Sequence, residues 1–275
     1  MSKSAILLGS KPASVVALLL LLQKGWNVTE VVASRTQANW LPGPSLFDVA
    51  SSLGIRTVPN QEDLESSEVD LVVSYMFRSR VSKFTLERGR YPLNFHAGPL
   101  PQFGGWAFYN VAILESAVEY GCTCHVMDEE FDTGPLVKVR RFGIDSSAHT
   151  AVSLEKRTQI EMLLLFEEVI DVYENVGQIA SVPQDAAKMR YLNAAQFAHL
   201  KEIPASATPE EADRIARAFW YPPYECAYHL LPNGTRLEVV PQIVQHSSAI
   251  NLHSTDLEDL LRTARIMPSL VSVIR

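Results

Sequence analysis

The sequence predicts an α/β protein with a Rossmann-like, doubly wound and mostly parallel sheet, followed by a smaller C-terminal α+β module or partial β-barrel. The chain begins with an apolar strand, a glycine-containing turn and an apolar helix, which is how doubly wound domains begin. Residues 69–75 form the strongest strand signal, because buried parallel strands are near-continuous apolar runs. The last third contains a helix and then an Asn-Gly hairpin signal at Asn233 and Gly234.

Composition limits the classes of function. The chain has 275 residues, enough for one large domain or two smaller ones. Its net charge of -7 argues against a nucleic acid as the main partner, because phosphate binding needs clustered lysine and arginine. The apolar run at residues 15–22 is too short to span a membrane and predicts a buried core helix. We therefore expect no membrane partner.

The cysteines and histidines do not have the spacing of a metal site. Cys122, Cys124 and Cys226 match neither a disulfide framework nor a zinc site, and the seven histidines are scattered. We therefore expect no metal. Cysteines that remain unpaired favour a reduced, cytoplasmic compartment.

The first part of the sheet is predicted from apolar runs bounded by glycine, proline or polar residues. The strands are predicted at residues 4–8, 27–33, 55–58 and 69–75, and the helices at 13–24 and 46–53. The turn at residues 9–11 is not a dinucleotide-binding fingerprint. The helix N-terminus behind it could bind a phosphate with the help of Lys11, and an ordinary strand–helix turn is the alternative.

The remaining elements follow from capping and turn residues. Strands are predicted up to residue 96 and at 122–127 and 136–144, helices at 104–117, 150–176 and 256–265, and a hairpin of 228–231 with 236–240. Gly177 is expected to end the long helix, and Thr208 begins a further helix with a capping box. We place an N-terminal domain at residues 1–180 and a C-terminal domain at residues 181–275.

The stretch from residue 93 to 135 holds the candidate chemistry. Asn94 and His96 lie two residues apart at a predicted strand end, so their side chains face the same side. Asp132 follows on a loop broken by glycine and proline. An amide, an imidazole and a carboxylate at one edge can stabilise an oxyanion and move a proton. The alternative is structural, with Asn94 and His96 bonding the backbone and Asp132 capping a turn.

Two segments together resemble the folate-dependent formyltransferases, the family that includes methionyl-tRNA formyltransferases. They are the Asn-x-His-x-x-x-x-Pro segment at 94–101 and the Asp-x-Gly segment at 132–134. The resemblance implies the formyltransferase fold, N10-formyltetrahydrofolate as co-substrate, and Asn94, His96 and Asp132 as the catalytic trio. It also implies a folate pocket after the fourth strand and beside the trio, formed by Phe77, Arg78, Val81, Asp128, Glu129 and Phe131.

A second resemblance concerns the acceptor. Residues 217–224, followed by a hairpin, are similar to the start of the C-terminal domain in this family, and look closest to members acting on nucleotide-linked amino sugars. Trp220, Tyr221 and Tyr224 would then stack on a nucleotide base, and an aromatic plug between the domains is the alternative. Tyr109 and Asn110, near the catalytic edge, are candidates to hold the acceptor, and a structural hydrogen bond is equally expected of Asn110.

The resemblance implies formyl transfer from N10-formyltetrahydrofolate to the primary amine of a nucleotide-linked dideoxy amino sugar of the kind used in lipopolysaccharide O-antigens. Methionyl-tRNA is an alternative acceptor, but an enzyme that binds it would be expected to have a basic face, which this chain lacks. Glycinamide ribonucleotide is another alternative, but its formyltransferases usually have a first turn richer in glycine than residues 9–11. A formyltetrahydrofolate hydrolase is less favoured because such enzymes often carry an additional N-terminal regulatory domain. A non-catalytic folate or nucleotide-sugar binding protein would not need the whole trio.

Residues 246–275 are expected either to pack on their own domain or to form a homodimer interface.

Overall fold

The structure is a computed structural model that describes residues 3–36, 43–65, 68–105, 108–192, 197, 199–245 and 257–274. In chain order the strands are β1 Ser4–Gly9, β2 Asn27–Val32, β3 Arg56–Val58, β4 Val69–Tyr75, β5 Gly89–His96, β6 Gly104–Gly105, β7 Glu119–Val126, β8 Leu136–Gly143, β9 Tyr191–Leu192, β10 Tyr228–Leu230 and β11 Arg236–Glu238. The α-helices are α1 Ala13–Gln23, α2 Leu46–Ser52, α3 Lys83–Leu86, α4 Phe108–Leu114, α5 Ala151–Val176, α6 Pro209–Phe219, α7 Gln242–Gln245, α8 Leu257–Thr263 and α9 Pro268–Val271.

Seven strands form one central sheet in the order β3-β2-β1-β4-β5-β7-β8. The first five are parallel, whereas β7 pairs antiparallel with both β5 and β8. The predicted doubly wound, mostly parallel sheet is therefore confirmed. Strand order reverses between β1 and β4, and open α/β sheets bind ligands beyond the carboxyl ends of the strands at such a switch point. Gly9, Tyr75 and Phe95 lie in register across this edge.

Helix α1 is the centre of the main core. Every residue from 13 to 21 is buried, which confirms the predicted core helix. The C-terminal helix α8 packs on both α1 and α5, and it buries Leu260 and Leu261 there. Helix α8 thus packs on elements within residues 1–180, whereas one of the two expectations placed the tail against its own domain, residues 181–275. The expected homodimer and the domain boundary near residue 180 stay predictions.

The predicted helix from residue 104 is wrong in its start. Gly104 and Gly105 instead form β6, which pairs in parallel with β9, and the described part of α4 is Phe108–Leu114. Gly105 has φ +82°, a left-handed conformation that a right-handed helix cannot contain. Its N–H is also taken by the carboxylate of Asp132. Trp106 lies outside the described residues.

The caps and the hairpin are confirmed. Thr150 closes the start of α5 with a capping box, and Gly177, at φ +72°, ends it. Thr208 forms the second capping box, with Glu211, at the start of α6. Strands β10 and β11 pair as the predicted antiparallel hairpin. Across the described ranges, no helix has both the length and the apolar character needed to cross a membrane.

Candidate active site

Asn94 and His96 lie at the carboxyl end of β5 and face the same side of the sheet. Leu93 and Phe95, which alternate with them, are buried in the main core on the other side. The antiparallel register of β5 with β7 places Asn94 opposite His125. The strand end therefore presents two polar side chains where the sequence predicts them, and the neighbouring strand adds an imidazole.

Asp132 completes a cluster of four polar side chains. Its Oδ1 lies 3.4 Å from Nδ1 of His96 and 3.7 Å from Nε2 of His125. The N–H of Gly105 donates to Oδ2 at 2.9 Å. The structure thus brings together the three residues of the predicted trio. Their catalytic role stays a prediction.

Both ring nitrogens of His96 face oxygen atoms of the protein. Its Nε2 donates to the carbonyl oxygen of Phe103 at 2.7 Å, while Nδ1 faces Asp132. This arrangement depends on Gly98, where an added Cβ would lie 2.8 Å from Nε2 of His96 and 2.7 Å from the Phe103 oxygen. The loop can close over the ring only because residue 98 is glycine.

The Asp132 loop has an unusual backbone. Asp132 has φ +60°, in the left-handed region that aspartate and asparagine adopt more readily than most residues. A Cβ at Gly134 would lie 1.8 Å from the carbonyl oxygen of Val126, so only glycine lets the loop pass this close to β7. The Asp-x-Gly pattern therefore has a steric basis. Left-handed residues of this kind are concentrated at functional sites.

Asp132 is held in its ionised form. Burial alone would raise the pKa of this carboxyl group, but the facing rings of His96 and His125 and the N–H of Gly105 outweigh burial and hold its pKa well below the usual 3.8. Because the folded-state pKa is depressed, the charge stabilises the fold above the unfolded-state pKa. That contribution is lost as the pH falls through the folded-state pKa.

His125 is the site residue that the sequence interpretation missed. Its Nδ1 donates to the carbonyl oxygen of Val126 at 2.9 Å, which leaves Nε2 to accept from the amide of Asn94 at 3.0 Å. His125 therefore fixes which way the Asn94 amide points. The signal that could have found His125 is the alternation of side chains along a strand. Cys122 and Cys124 are core residues, so His125 faces the other side of β7.

The predicted folate residues lie on two loops at this edge. Phe77 and Val81 pack, partly buried, on a small apolar cluster around Ile6 and Leu8, while Arg78 is exposed. This cluster lies on the sheet face that carries Asn94, because Leu8, Ser74 and Asn94 are paired in register.

The second loop holds Asp128, Glu129 and Phe131. Asp128 accepts from the N–H of Glu130 and the hydroxyl of Thr133, so it shapes the loop, and Phe131 is 47% exposed. Glu129 faces Lys83, the first residue of α3, at 3.7 Å, and the guanidinium of Arg80, on the first loop, donates to the Glu129 carbonyl oxygen. The two loops that carry the six predicted folate residues are therefore adjacent, and their contacts with a folate stay predictions.

Two of the predicted acceptor residues are buried. Tyr109 belongs to the main core, and its hydroxyl has no hydrogen-bond partner among the described residues. Asn110 donates from its amide to the carbonyl oxygen of Ala218 at 2.6 Å, so α4 is bonded to the end of α6. This bond is the structural role that was the alternative for Asn110. Binding of an acceptor by either residue stays a prediction.

The other acceptor residues meet at the end of α6. The ammonium of Lys11 pairs with the buried Glu155 and lies 3.1 Å from the hydroxyl of Tyr221. The ring centroids of Tyr221 and Tyr224 are 5.6 Å apart, and Tyr224 is 49% exposed. Trp220 is partly buried. Tyr224 thus offers an exposed face for stacking, whereas Trp220 packs inward.

Nothing in the described part of the chain groups three or more potential metal ligands. The site instead combines an amide, two imidazoles and an ionised carboxylate at the carboxyl edge of an open α/β sheet. Groups of these types, placed together, can stabilise a developing oxyanion and move a proton, and their catalytic role here stays a prediction.

A profile of the formyl transferase family matches residues 20–170, which is more than half of the chain. This protein belongs to that family. The matched region includes the loops and strands that carry Asn94, His96, His125 and Asp132.

Individual relatives are distant. The methionyl-tRNA formyltransferase of Listeria innocua is 28% identical over 193 residues, which cover 66% of this chain and 61% of the relative. The GDP-perosamine N-formyltransferase of Brucella melitensis is 26% identical over 181 residues, or 63% of this chain and 65% of the relative. Each of these alignments spans less than two thirds of the relative. The N-formyltransferase of Helicobacter canadensis, solved with folinic acid and dTDP-3-aminofucose, shares the fold, with a TM-score of 0.69 and 21% identity over 84% of this chain and 85% of that one.

Proposed function

We propose that this protein is an N-formyltransferase that moves the formyl group of N10-formyltetrahydrofolate to the primary amine of a nucleotide-linked amino sugar. The observation that carries the proposal is the convergence of Asn94, His96 and Asp132 in a chain of the formyl transferase family. Together they offer a hydrogen-bond donor, an imidazole and an ionised carboxylate at one edge of the sheet.

Each member of the trio has a distinct task in this proposal. Bound N10-formyltetrahydrofolate supplies a formyl group whose oxygen gains negative charge during attack by the amine. Asn94 turns its amide toward this edge, and a donor to such an oxygen is typically worth about 3 kcal/mol. Nδ1 of His96 takes up the proton that the amine loses, and the imidazolium then returns this proton to the departing nitrogen of the folate. The ionised Asp132, whose Oδ1 lies 3.4 Å from Nδ1, orients the ring and stabilises its positive charge.

The two loops at the edge fit a folate. A pterin is flat and largely apolar on its faces, and Phe77 and Val81 offer partly buried apolar surface beside Asn94. Arg78 and Arg80 are exposed on the same loop, where they can attract the carboxylates of the glutamate tail. These residues therefore combine the apolar and cationic surface that the co-substrate needs.

A nucleotide-linked amino sugar is the acceptor that the aromatic segment supports best. Tyr221 and Tyr224 form a ring pair in which Tyr224 is exposed and can stack on a base. Relatives with GDP-perosamine and dTDP-3-aminofucose in their names support the same substrate class. Methionyl-tRNA is the second candidate, because methionyl-tRNA formyltransferases are among the relatives. The net charge of -7 weighs against it, since tRNA binding depends on phosphate contacts.

An acceptor panel tests the function. Purified protein and N10-formyltetrahydrofolate are incubated with dTDP-, UDP- and GDP-linked amino sugars, glycinamide ribonucleotide, methionyl-tRNA or water alone, and tetrahydrofolate release is followed. We expect release that depends on one nucleotide-linked amino sugar, with the formyl group recovered on its amine. Release with methionyl-tRNA alone would establish the second candidate instead. Equal release with and without any acceptor would indicate a hydrolase and contradict the proposal.

His125 gives a prediction specific to this site. We expect His125→Ala to lower kcat about tenfold with both KM values unchanged, because the Asn94 amide loses the acceptor that orients it. Steady-state kinetics with both substrates varied measures this. His229→Ala is the control: His229 lies on β10 of the C-terminal hairpin, and its ring donates to the carbonyl oxygen of Ile203. A kcat equal to that of the unmodified protein would show that Asn94 needs no such support.

A further inference from the structure

We propose that Lys11 and Glu155 are positioning residues: their buried ion pair holds Tyr221, and through it Tyr224, in the arrangement that binds the acceptor. This inference rests on the proposed function, because it assigns a role in recognising the nucleotide-linked sugar. It changes the part expected of Lys11, from direct contact with a phosphate to support of the aromatic pair. It also gives a role to Glu155, to which the sequence assigned none.

The contacts join three parts of the chain that are far apart in sequence. Lys11 lies in the turn after β1, Glu155 is on the second turn of α5, and Tyr221 follows the end of α6. The Lys11 ammonium donates to a carboxylate oxygen of Glu155 and, at 3.1 Å, to the hydroxyl of Tyr221. That hydroxyl in turn donates to the other carboxylate oxygen of Glu155. The three polar groups therefore form a closed triangle.

The cluster is too well buried to be a surface ion pair. The side chain of Lys11 is 12% exposed and that of Glu155 is 4% exposed. Gln159, one turn further along α5, donates to Glu155 at 2.8 Å and adds a bond to the carboxylate. Burying two charges costs free energy that their attraction offsets only with good geometry, so such pairs are poor sources of net stability. Fixing one arrangement of the chain is the better-supported use.

Tyr221 is held as a hydrogen-bond donor. Burial and the neighbouring Glu155 raise the pKa of its hydroxyl well above the usual 10.0. The hydroxyl therefore keeps its proton at neutral pH and can donate it to Glu155. Its ring contacts Tyr224 with a 5.6 Å centroid separation, and the N–H of Tyr224 bonds back to the Tyr221 carbonyl at 3.0 Å. The position of Tyr224 thus follows from that of Tyr221.

The aromatic pair lies at the edge where a ligand is expected. The register of Gly9 with Tyr75, and of Tyr75 with Phe95, puts the turn holding Lys11 two strands away from Asn94 and His96. Adjacent strands are about 4.8 Å apart, so the two places are about 10 Å apart. An extended acceptor could reach from the amine at the trio to a base at Tyr224.

The alternative, in which Lys11 itself binds the acceptor phosphate, makes the opposite prediction for Glu155. If Lys11 were a phosphate ligand, removing the charge of Glu155 would release the ammonium and leave acceptor binding unchanged or stronger. If Lys11 and Glu155 position Tyr221, removing that charge loosens the triangle and weakens acceptor binding. Glu155→Gln therefore separates the two roles.

The first measurement is the KM of each substrate for Glu155→Gln. We expect the acceptor KM to rise about tenfold, with kcat and the folate KM within about twofold of the unmodified values, because a buried ammonium is left unpaired beside Tyr221. Glu161→Gln is the matched control. Glu161 is on the same helix and is also buried and ion-paired, but with Arg140 and Arg157. That variant should lose stability while both KM values stay unchanged.

A second measurement does not depend on activity. Hydrogen exchange is followed by mass spectrometry in the peptide that contains Tyr221 and Tyr224. We expect faster exchange there in Glu155→Gln than in Glu161→Gln, and Tyr221→Phe should show the same local increase.

An acceptor KM that is unchanged or lower in Glu155→Gln, or equal exchange in the two glutamine variants, would overturn the positioning role. If the unmodified protein formylates no nucleotide sugar, the proposed function fails, and hydrogen exchange alone decides whether the ion pair holds Tyr221.

Discussion

Replacing Asp132 by asparagine is expected to lower turnover by at least about 100-fold while the protein stays folded. Asparagine keeps an oxygen for the N–H of Gly105 and tolerates the left-handed backbone of this residue, φ +60°. It removes only the negative charge that faces His96 and His125. Alanine is a poorer choice, since it strains the backbone as well as removing the carboxylate.

The measurement is kcat with the acceptor identified in the panel, together with a thermal melt of both proteins. Glu130→Gln is the matched control, because Glu130 is on the same loop and its side chain is 74% exposed. We expect its kcat to stay within about twofold of the unmodified value. An Asp132→Asn protein with more than a tenth of normal turnover would remove Asp132 from the proposed proton transfer.

The second large effect is on stability. We expect Leu260→Asp to lower the free energy of unfolding by about 3 to 5 kcal/mol, because it places an unpaired charge where a leucine packs against α1 and α5. The same leucine is 1% exposed, so the new carboxylate has no route to water without displacing α8. Urea denaturation followed by circular dichroism measures the change.

Arg262→Asp is the control on the same helix. The Arg262 side chain is 78% exposed, so this change should alter the free energy of unfolding by no more than about 0.5 kcal/mol. Equal stability of the two variants would mean that α8 contributes little to holding the core together.

The sheet and three residues of the site, Asn94, His96 and Asp132, could be predicted because the sequence patterns that indicate them are local. Asn94 and His96 share a face as a consequence of strand geometry, and the Asp-x-Gly segment has a local steric reason in Gly134. His125 was missed because the sequence analysis considered Cys122 and Cys124 of this strand but not the residues on the opposite face. Its pairing with Asn94 depends on the β5–β7 register, which no local pattern determines.

Other errors arise where distant residues decide the local structure. Gly104 and Gly105 were assigned to a helix, yet Arg190 and Asp132 take up their N–H groups. The partner of Lys11, Glu155, lies 144 positions away in sequence and was likewise not predicted, while the phosphate expectation for Lys11 stays a prediction. Such contacts exist only in the folded chain, so composition and periodicity could not predict them.

The burial of α1 has a consequence for synthesis. Part of its surface is covered by α8, and a hydrogen bond next to this contact joins Gln23 to Arg265, residues 242 positions apart. At about 5 to 20 residues per second, a ribosome needs roughly 12 to 50 seconds to make the chain between them. For that time the leucine-rich helix has part of its surface not yet covered by α8. Until α8 has been made, that part of the surface is either covered by other segments of the chain or exposed to water.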